Sequence, residues 1–174
     1  MKNEKELESI ALNRGMYYES VYHGCGQCTF AAIQDALGRH DDEVFKSACA
    51  LEAGIAKYGD GSCGAYLASV MMFGVLFGRS RDNFAAGKED INRVRRLTGL
   101  MREYFLTKYG SIDCKGIQTA IFGRSYYIWD EEEKKEFEEA GAHTTKCPSV
   151  VGEAAAYAVK IIVEEQKRLE SSKL

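Results

Sequence analysis

Six cysteines in a chain with a single proline are the residues best equipped for chemistry here. Four of them share one local setting. Cys28 follows His-Gly-Cys-Gly-Gln, Cys63 follows Gly-Asp-Gly-Ser, Cys114 follows Gly-Ser-Ile-Asp and Cys147 follows Thr-Thr-Lys. Each precedes an apolar run at helical spacing, which predicts each at or just before a helix N-terminus. Pro148 strengthens the last case, since proline favours the first helical position. A helix N-terminus offers unpaired backbone N–H groups and roughly half a positive charge. Both favour thiolate over thiol, so the sequence predicts lowered pKa values and sulfurs that are reactive or ready for metal. The same N–H groups could hydrogen-bond the sulfides or thiolates of a cluster.

The remaining candidates are less specific. Cys25-Gly-Gln-Cys28 lacks the βαβ context of a thioredoxin-like redox pair. As half of a zinc site it lacks a second CxxC or an HxxxH. Cys25 is therefore read as an alternative ligand or a resolving thiol. Cys49, within FKSACALEAG, reads as a core residue. His23 and His143 stand two and four positions before Cys25 and Cys147; either could join a site, but solvated loop residues are the commoner reading. His40 reads as exposed. The arginines of the long helix (Arg93, Arg95, Arg96, Arg102) read as a solvated face or a partner contact, and DEEEKKEFEE as surface. There is no Walker loop, dinucleotide fingerprint, GxSxG elbow, HExxH or CxxCH.

The elements that position these residues are predicted to be helices. The chain has 174 residues, 45% hydrophobic and 28% charged, the profile of one soluble globular domain. A net charge of −3 and a pI near 5.7 exclude a broad nucleic-acid-binding surface. The longest apolar stretch, 65–77, is well short of the roughly 20 residues a membrane helix needs. The charged start MKNEKELESI lacks a signal-peptide core, so a cytoplasmic location with reduced thiols is expected. No repeat or linker divides the chain, so 1–174 reads as a single domain.

Helical spacing places a first helix over 1–20, a second from near Cys28 to Gly38, and a third from Asp41 or Asp42 through Ile55. An apolar helix over about 64–77 has no polar face and is expected at the centre. A long amphipathic helix over 91–109, a short one near 117–122, an acidic segment at 130–140 and a final helix from Pro148 to about 169 complete the reading. Strand signals are nearly absent; SYYIW at 125–129 is short and lacks a hairpin partner. The predicted fold class is all-α, a bundle of five to seven helices around the helix at 64–77.

These residues resemble the C_GCAxxG_C_C family, named for its cysteine pattern, over about 22–165. The likeness runs through Cys28-Thr-Phe-Ala-Ala-Ile, then Gly54-Ile-Ala to Gly61-Ser-Cys63-Gly64-Ala65 with the apolar helix ending at Gly74. It continues through Tyr109-Gly110-Ser111 to Cys114, and then to Cys147. Ala68 stands where the family often has glycine, Cys25 and Cys49 are extras, and no haem motif is present. The family is similar to the non-haem part of split-Soret cytochromes. That likeness implies redox activity, an iron–sulfur centre, electron transfer and dimer formation, with Cys28, Cys63, Cys114 and Cys147 as redox or ligand cysteines.

The expectation is a soluble redox-active protein whose helix-start cysteines bind an iron–sulfur cluster for electron transfer or redox sensing. Two alternatives stand beside it: a cofactor-free thiol–disulfide oxidoreductase or sensor, and a structural zinc interaction module. A redox partner protein and a homodimer are expected contacts, the latter through the arginine stripe or the aromatics at 126–129. Nucleic acid and membrane are not.

Overall fold

A computed structural model describes residues 2–172. Eight α-helices follow in order: α1 (Glu4–Tyr22), α2 (Cys25–Leu37), α3 (Asp42–Ser47), α4 (Gly64–Phe77), α5 (Lys88–Tyr109), α6 (Cys114–Phe122), α7 (Glu131–Glu139) and α8 (Cys147–Ser171). A π-helical turn at Ala142–Lys146 leads into α8. The fold is all-α. Among the described residues there is no strand, only an isolated antiparallel bridge between Ser62 and Asp113. The count of eight is one above the sequence range, since even the short α3 and the acidic α7 close as separate helices. Met1, placed in the first helix by sequence, lies outside the described residues.

Local chemistry sets the boundaries. Asn3 opens α1 with a capping box, its side chain accepting from the Glu6 N–H while Glu6 accepts from the Asn3 N–H. Asp41, Asp113 and Asp130 cap α3, α6 and α7 through their carboxylates. Two boundaries differ from the sequence reading. α2 begins three residues early, at Cys25, because Gly24 turns in a left-handed conformation and its carbonyl accepts the Cys28 N–H at 3.0 Å. α3 stops at Ser47 instead of reaching Ile55: 48–50 close as turns and 53–57 adopt positive φ, incompatible with a right-handed helix.

The core joins α1, α2, α4, α5 and α8. α8 is its most widely shared wall, packing against α1, α2, α4 and α5 and burying Val151, Ala154, Ala155, Ala158 and Ile162 completely. The apolar α4 lies between α2, α5 and α8 but leaves Gly74 and Val75 at the surface. α1 and α8 cross closely at two glycines: a Cβ on Gly15 would fall 2.8 Å from the Gly152 Cα. A smaller core of Tyr126, Phe137 and Ala142 packs α7 and the π-turn beneath Phe122, Ile128 and Cys147. No helix among the described residues is long and apolar enough to cross a membrane.

Candidate functional site

Four helix N-termini meet at one cavity. Cys25 is the first residue of α2, Cys63 the N-cap of α4, Cys114 the first residue of α6 and Cys147 the first residue of α8. All four line a cavity of about 140 Å³, the size of an engineered cavity that holds benzene. Its remaining walls include Glu19, His23, Glu52, Lys57, Gln118, Glu138 and His143, with Ile117, Ile128, Phe137 and Val151.

The backbone explains the convergence. The Ser62–Asp113 bridge aligns the turns before α4 and α6, with the Cys63 N–H donating to Ile112 O at 2.8 Å and the Cys114 N–H to Gly61 O at 2.9 Å. Glycine permits the close approach. A Cβ on Gly64 would meet the Cys25 sulfur at 2.6 Å, and one on Gly54 would meet the Cys114 Cβ at 2.9 Å. The π-turn delivers Cys147 to the opposite wall, with Pro148 in the first turn of α8.

Of the cysteines expected as ligands, the structure brings Cys63, Cys114 and Cys147 to the cavity and adds Cys25. Cys28 is not in its lining. It sits one turn into α2, buried, with its thiol donating to the His23 carbonyl at 3.0 Å. The early start of α2 is the cause, since it moves the helix N-terminus from Cys28 to Cys25. Cys49, read as core, is exposed beyond α3. His23 and His143, read as solvated, stack with centroids 3.8 Å apart and an interplanar angle of 6° at the cavity edge.

The electrostatics reverse one expectation. The sequence predicted thiols with lowered pKa values, yet Cys25, Cys28, Cys114 and Cys147 are all raised. For Cys25 the neighbouring Cys63 thiol is the largest cause and burial the second. Burial leads at Cys114, pushed up to about 12, with the Cys25 charge next. Burial also leads at Cys28 and Cys147, followed at both by the Glu19 charge. Desolvation and nearby acids outweigh the partial positive charge of a helix end. Buried protonated thiols are poor nucleophiles. They become thiolates where a cation supplies the compensating charge.

Glu19 is the feature the sequence reading missed. Only 2% exposed, it faces the cavity, and its Oε2 has no hydrogen-bond partner among the described residues. Burial pushes its pKa up to about 8; the polar Cys28 thiol beside it lowers it, and Glu52 and Glu138 raise it further. His143 Nε2 lies 4.0 Å from Glu19 Oε1, and His143 Nδ1 pairs with Glu138 at 2.8 Å. The signal was present: Ala11, Gly15 and Glu19 form a buried stripe at four-residue spacing. Gln118, one turn after Cys114, was also missed. Its Nε2 donates to the Cys114 sulfur at 3.5 Å while its Oε1 accepts the Tyr126 N–H at 2.8 Å, which fixes the amide orientation.

A left-handed strap closes one side. Ala53, Gly54, Ile55, Ala56 and Lys57 all have φ between 45° and 73°. Only Gly54 adopts this freely; the others cost on the order of 1–2 kcal/mol each. The strap is held by Ala56 N–H to Ala50 O at 2.8 Å, Gly59 N–H to Ala53 O at 3.0 Å and Gly61 N–H to Gly54 O at 3.1 Å. Ala53 and Cys25 both line the cavity, which places the strap beside the first residue of α2.

The arginine stripe of α5 divides: Arg95 and Arg102 are exposed, whereas Arg93 and Arg96 are engaged within the bundle. Arg93 Nε reaches Glu165 at 3.3 Å and Arg96 also donates to it, clamping α5 to α8. The aromatic segment divides: Tyr126 is buried, Ile128 lines the cavity, and Tyr127 and Trp129 are exposed.

The fold and site thus define an all-α protein that gathers four thiols from distant segments around one buried cavity. The profile of the C_GCAxxG_C_C family, described as "putative redox-active protein", matches residues 23–161, and the chain belongs to that family. No match was found among curated proteins or among solved structures.

A cofactor can be tested against this donor set. A mononuclear zinc site draws its sulfurs to within about 2.3 Å of one point. Among the described residues no group of three or more His, Cys, Asp or Glu side chains is already closed around a metal position. The four thiols that share the cavity lining are the donors a sulfur-ligated group would draw on.

Proposed function

We propose that Cys25, Cys63, Cys114 and Cys147 hold an iron–sulfur cluster and that the protein serves in electron transfer or redox sensing. The observation that carries this reading is the arrival of four thiols, each at its own helix N-terminus, on a single buried cavity. Bound there, the cluster would supply one-electron chemistry at a potential set by charge, hydrogen bonds to sulfur and exposure. This chain's residues act on each of those. Gln118 Nε2 donates to the sulfur of Cys114. Ile117, Ile128, Phe137 and Val151 restrict water. Glu19, with a pKa near 8, is mostly neutral at pH 7 and adds little negative charge.

The test is anaerobic purification followed by iron, sulfide and zinc analysis with visible absorption. The expected result is brown protein containing iron and acid-labile sulfide. Cys25→Ser and Cys63→Ser abolish both, and Cys28→Ser retains at least four-fifths of the iron. Zinc in place of iron, or iron lost from Cys28→Ser but not from Cys25→Ser, overturns the assignment.

The contact between Cys63 and Cys25 favours a second reading, a dithiol that gives up two electrons and two protons to an acceptor disulfide. Reversible loss of two thiols in metal-free protein is its signature.

A further inference from the structure

We propose that His143 relays protons between solvent and the buried carboxyl of Glu19, exchanging them with the exposed Glu138 at one ring nitrogen and with Glu19 at the other. The relay serves the redox site proposed above and takes its purpose from that reading; its geometry is independent of the group held there.

The two ends of the relay differ in exposure. The Glu138 side chain is 43% exposed, and both of its carboxylate oxygens lie 2.8 Å from His143 Nδ1. Glu19 is almost inaccessible and lines the cavity, and its Oε2 is without a hydrogen-bond partner among the described residues. Its Oε1 lies 4.0 Å from His143 Nε2. One imidazole therefore stands between two carboxylates, the outer wet and the inner sealed. The inner gap exceeds a hydrogen bond and closes by a small rotation of the Glu19 carboxyl.

The ring is held in place for this task. A π-helical turn at Ala142–Lys146 carries it, with the Thr145 and Lys146 N–H groups both donating to Gly141 O at 3.1 Å and 3.0 Å. Such turns recur at functional sites. The imidazole of His23 stacks on that of His143 at 3.8 Å, and Phe137 meets it at 88° and 5.7 Å. Stacking fixes the ring plane and leaves both nitrogens free at its edge.

The other groups facing Glu19 offer no equivalent path. Cys25, Cys28 and Cys147 are buried or half-buried thiols. Glu52 is engaged by Lys57 at 3.6 Å, and Lys134, on the same cavity wall, by Glu131 at 3.8 Å. Imidazole alone accepts a proton at one atom while releasing one at another. The step balances without an oxidant. The Glu138 carboxyl gives its proton to Nδ1 as the Nε2 proton passes to the Glu19 carboxylate, and the ring changes tautomer. The summed charge of the three groups is unchanged, and transient protonation of both nitrogens resets the ring. An electron added to a buried site places negative charge in a low dielectric, and a proton arriving on Glu19 offsets it.

The experiment is infrared spectroscopy of full-length protein as purified anaerobically, mixed rapidly into heavy water at pH 6. The protonated-carboxyl stretch that vanishes in Glu19→Gln reports the buried proton, and its isotope shift gives the exchange rate. In His143→Phe that rate is expected to fall at least tenfold, and in Glu138→Gln at least threefold. Should His143→Phe lose amide-exchange protection in α8, His143→Gln replaces it, with at least fivefold slowing expected. His23→Phe, which keeps the stack and removes a titratable ring, leaves the rate within twofold of wild type. Exchange within twofold of wild type in the folded His143 variant overturns the relay. So does slowing in His23→Phe equal to that of the His143 variant, which marks a packing effect, and so does the absence of any carboxyl stretch assignable to Glu19. Iron and sulfide analysis of the same samples separates the two readings: His143-dependent exchange without iron overturns the cluster alone, and His143-independent exchange with iron overturns the relay alone.

Discussion

Glu19 on α1 and Glu165 on α8 are buried to almost the same depth, 2% and 3% exposed, in opposite surroundings. Glu165 meets three guanidiniums: Arg93 at 3.3 Å, Arg168 at 3.6 Å and Arg96 in direct hydrogen bond. Glu19 meets none; its neighbours are the Cys28 thiol, the carboxylates of Glu52 and Glu138, and the edge of His143. A buried carboxylate is tolerated where its charge is paired, and pairing of this quality joins α5 to α8 as scaffold. A buried carboxylate left without a cation, beside a cavity lined by four thiols, has no such structural reason. Perturbed and unpaired titratable groups gather at functional sites, and here the contrast separates the site from the frame within one bundle.

The largest test of that contrast is the pH dependence carried by Glu19. Its folded pKa is near 8 against an ordinary value of 4.5. Between those values the folded chain keeps a proton that the unfolded chain has lost, so stability falls as pH rises through this window. Below pH 4.5 both states are protonated and the slope vanishes. The fall attributable to Glu19 is on the order of 5 kcal/mol across the window. Urea midpoints of metal-free wild-type and Glu19→Gln protein at pH 5 and pH 8.5 measure it. The variant should gain on wild type as pH rises. A wild-type-to-variant difference that is the same at both pH values would mean that Glu19 is ionised in the fold, and the two glutamates would then be alike.

The opposite operation applies to Glu165. Replacing Arg93 and Arg96 together by alanine strips two of the three cations from a nearly inaccessible carboxylate. The Arg96 side chain is 43% exposed and relaxes into water, which holds the loss to about 3 kcal/mol. Replacing Glu165 by glutamine as well should recover part of it, because the uncompensated charge goes too. A double arginine variant as stable as wild type in chemical unfolding would show the clamp to be ornamental.

How much of this was legible beforehand follows from the range of each interaction. Helix starts written in adjacent residues, such as Asp113 before Cys114 and Pro148 after Cys147, were readable, and so was the all-α class. The start of α2 was not: Gly24 and Gly26 together looked like a break, whereas only Gly24 is left-handed and Gly26 is helical. That one step moved the cavity-facing thiol from Cys28 to Cys25. The third helix was overextended because Ala53, Ile55 and Ala56 have ordinary helical preferences, and the turn hydrogen bonds of 50–61 together with Trp129 hold them left-handed. The raised thiol pKa values were equally out of reach. Helix-end polarity is local, but the depth of burial and the approach of Glu19 depend on where α1 crosses the bundle. Within the arginine stripe, the pairing of Arg93 and Arg96 was hidden because Glu165 lies 69 residues beyond Arg96.

A third carboxylate sharpens the comparison with the smallest effect. Asp113 is satisfied by neither cations nor isolation but by its neighbours: Oδ1 accepts the Gly116 N–H at 2.7 Å and Oδ2 accepts the Ser111 hydroxyl. The Ser111 hydrogen bond first and the Gly116 N–H second hold its pKa below the usual 3.8. Its contribution is therefore present above pH 3.8 and lost as pH falls through the lower folded value, opposite in sign to that of Glu19. Asp113→Ala removes the cap of the helix that begins at Cys114, at a cost of about 1 kcal/mol, or roughly 2–4 °C in thermal midpoint. Asp113→Asn keeps the accepting oxygen and should recover most of that loss near neutral pH while abolishing the acid-side dependence. Equal losses in both variants would mean that charge at the helix end, rather than the cap's hydrogen bond, sets the position of Cys114.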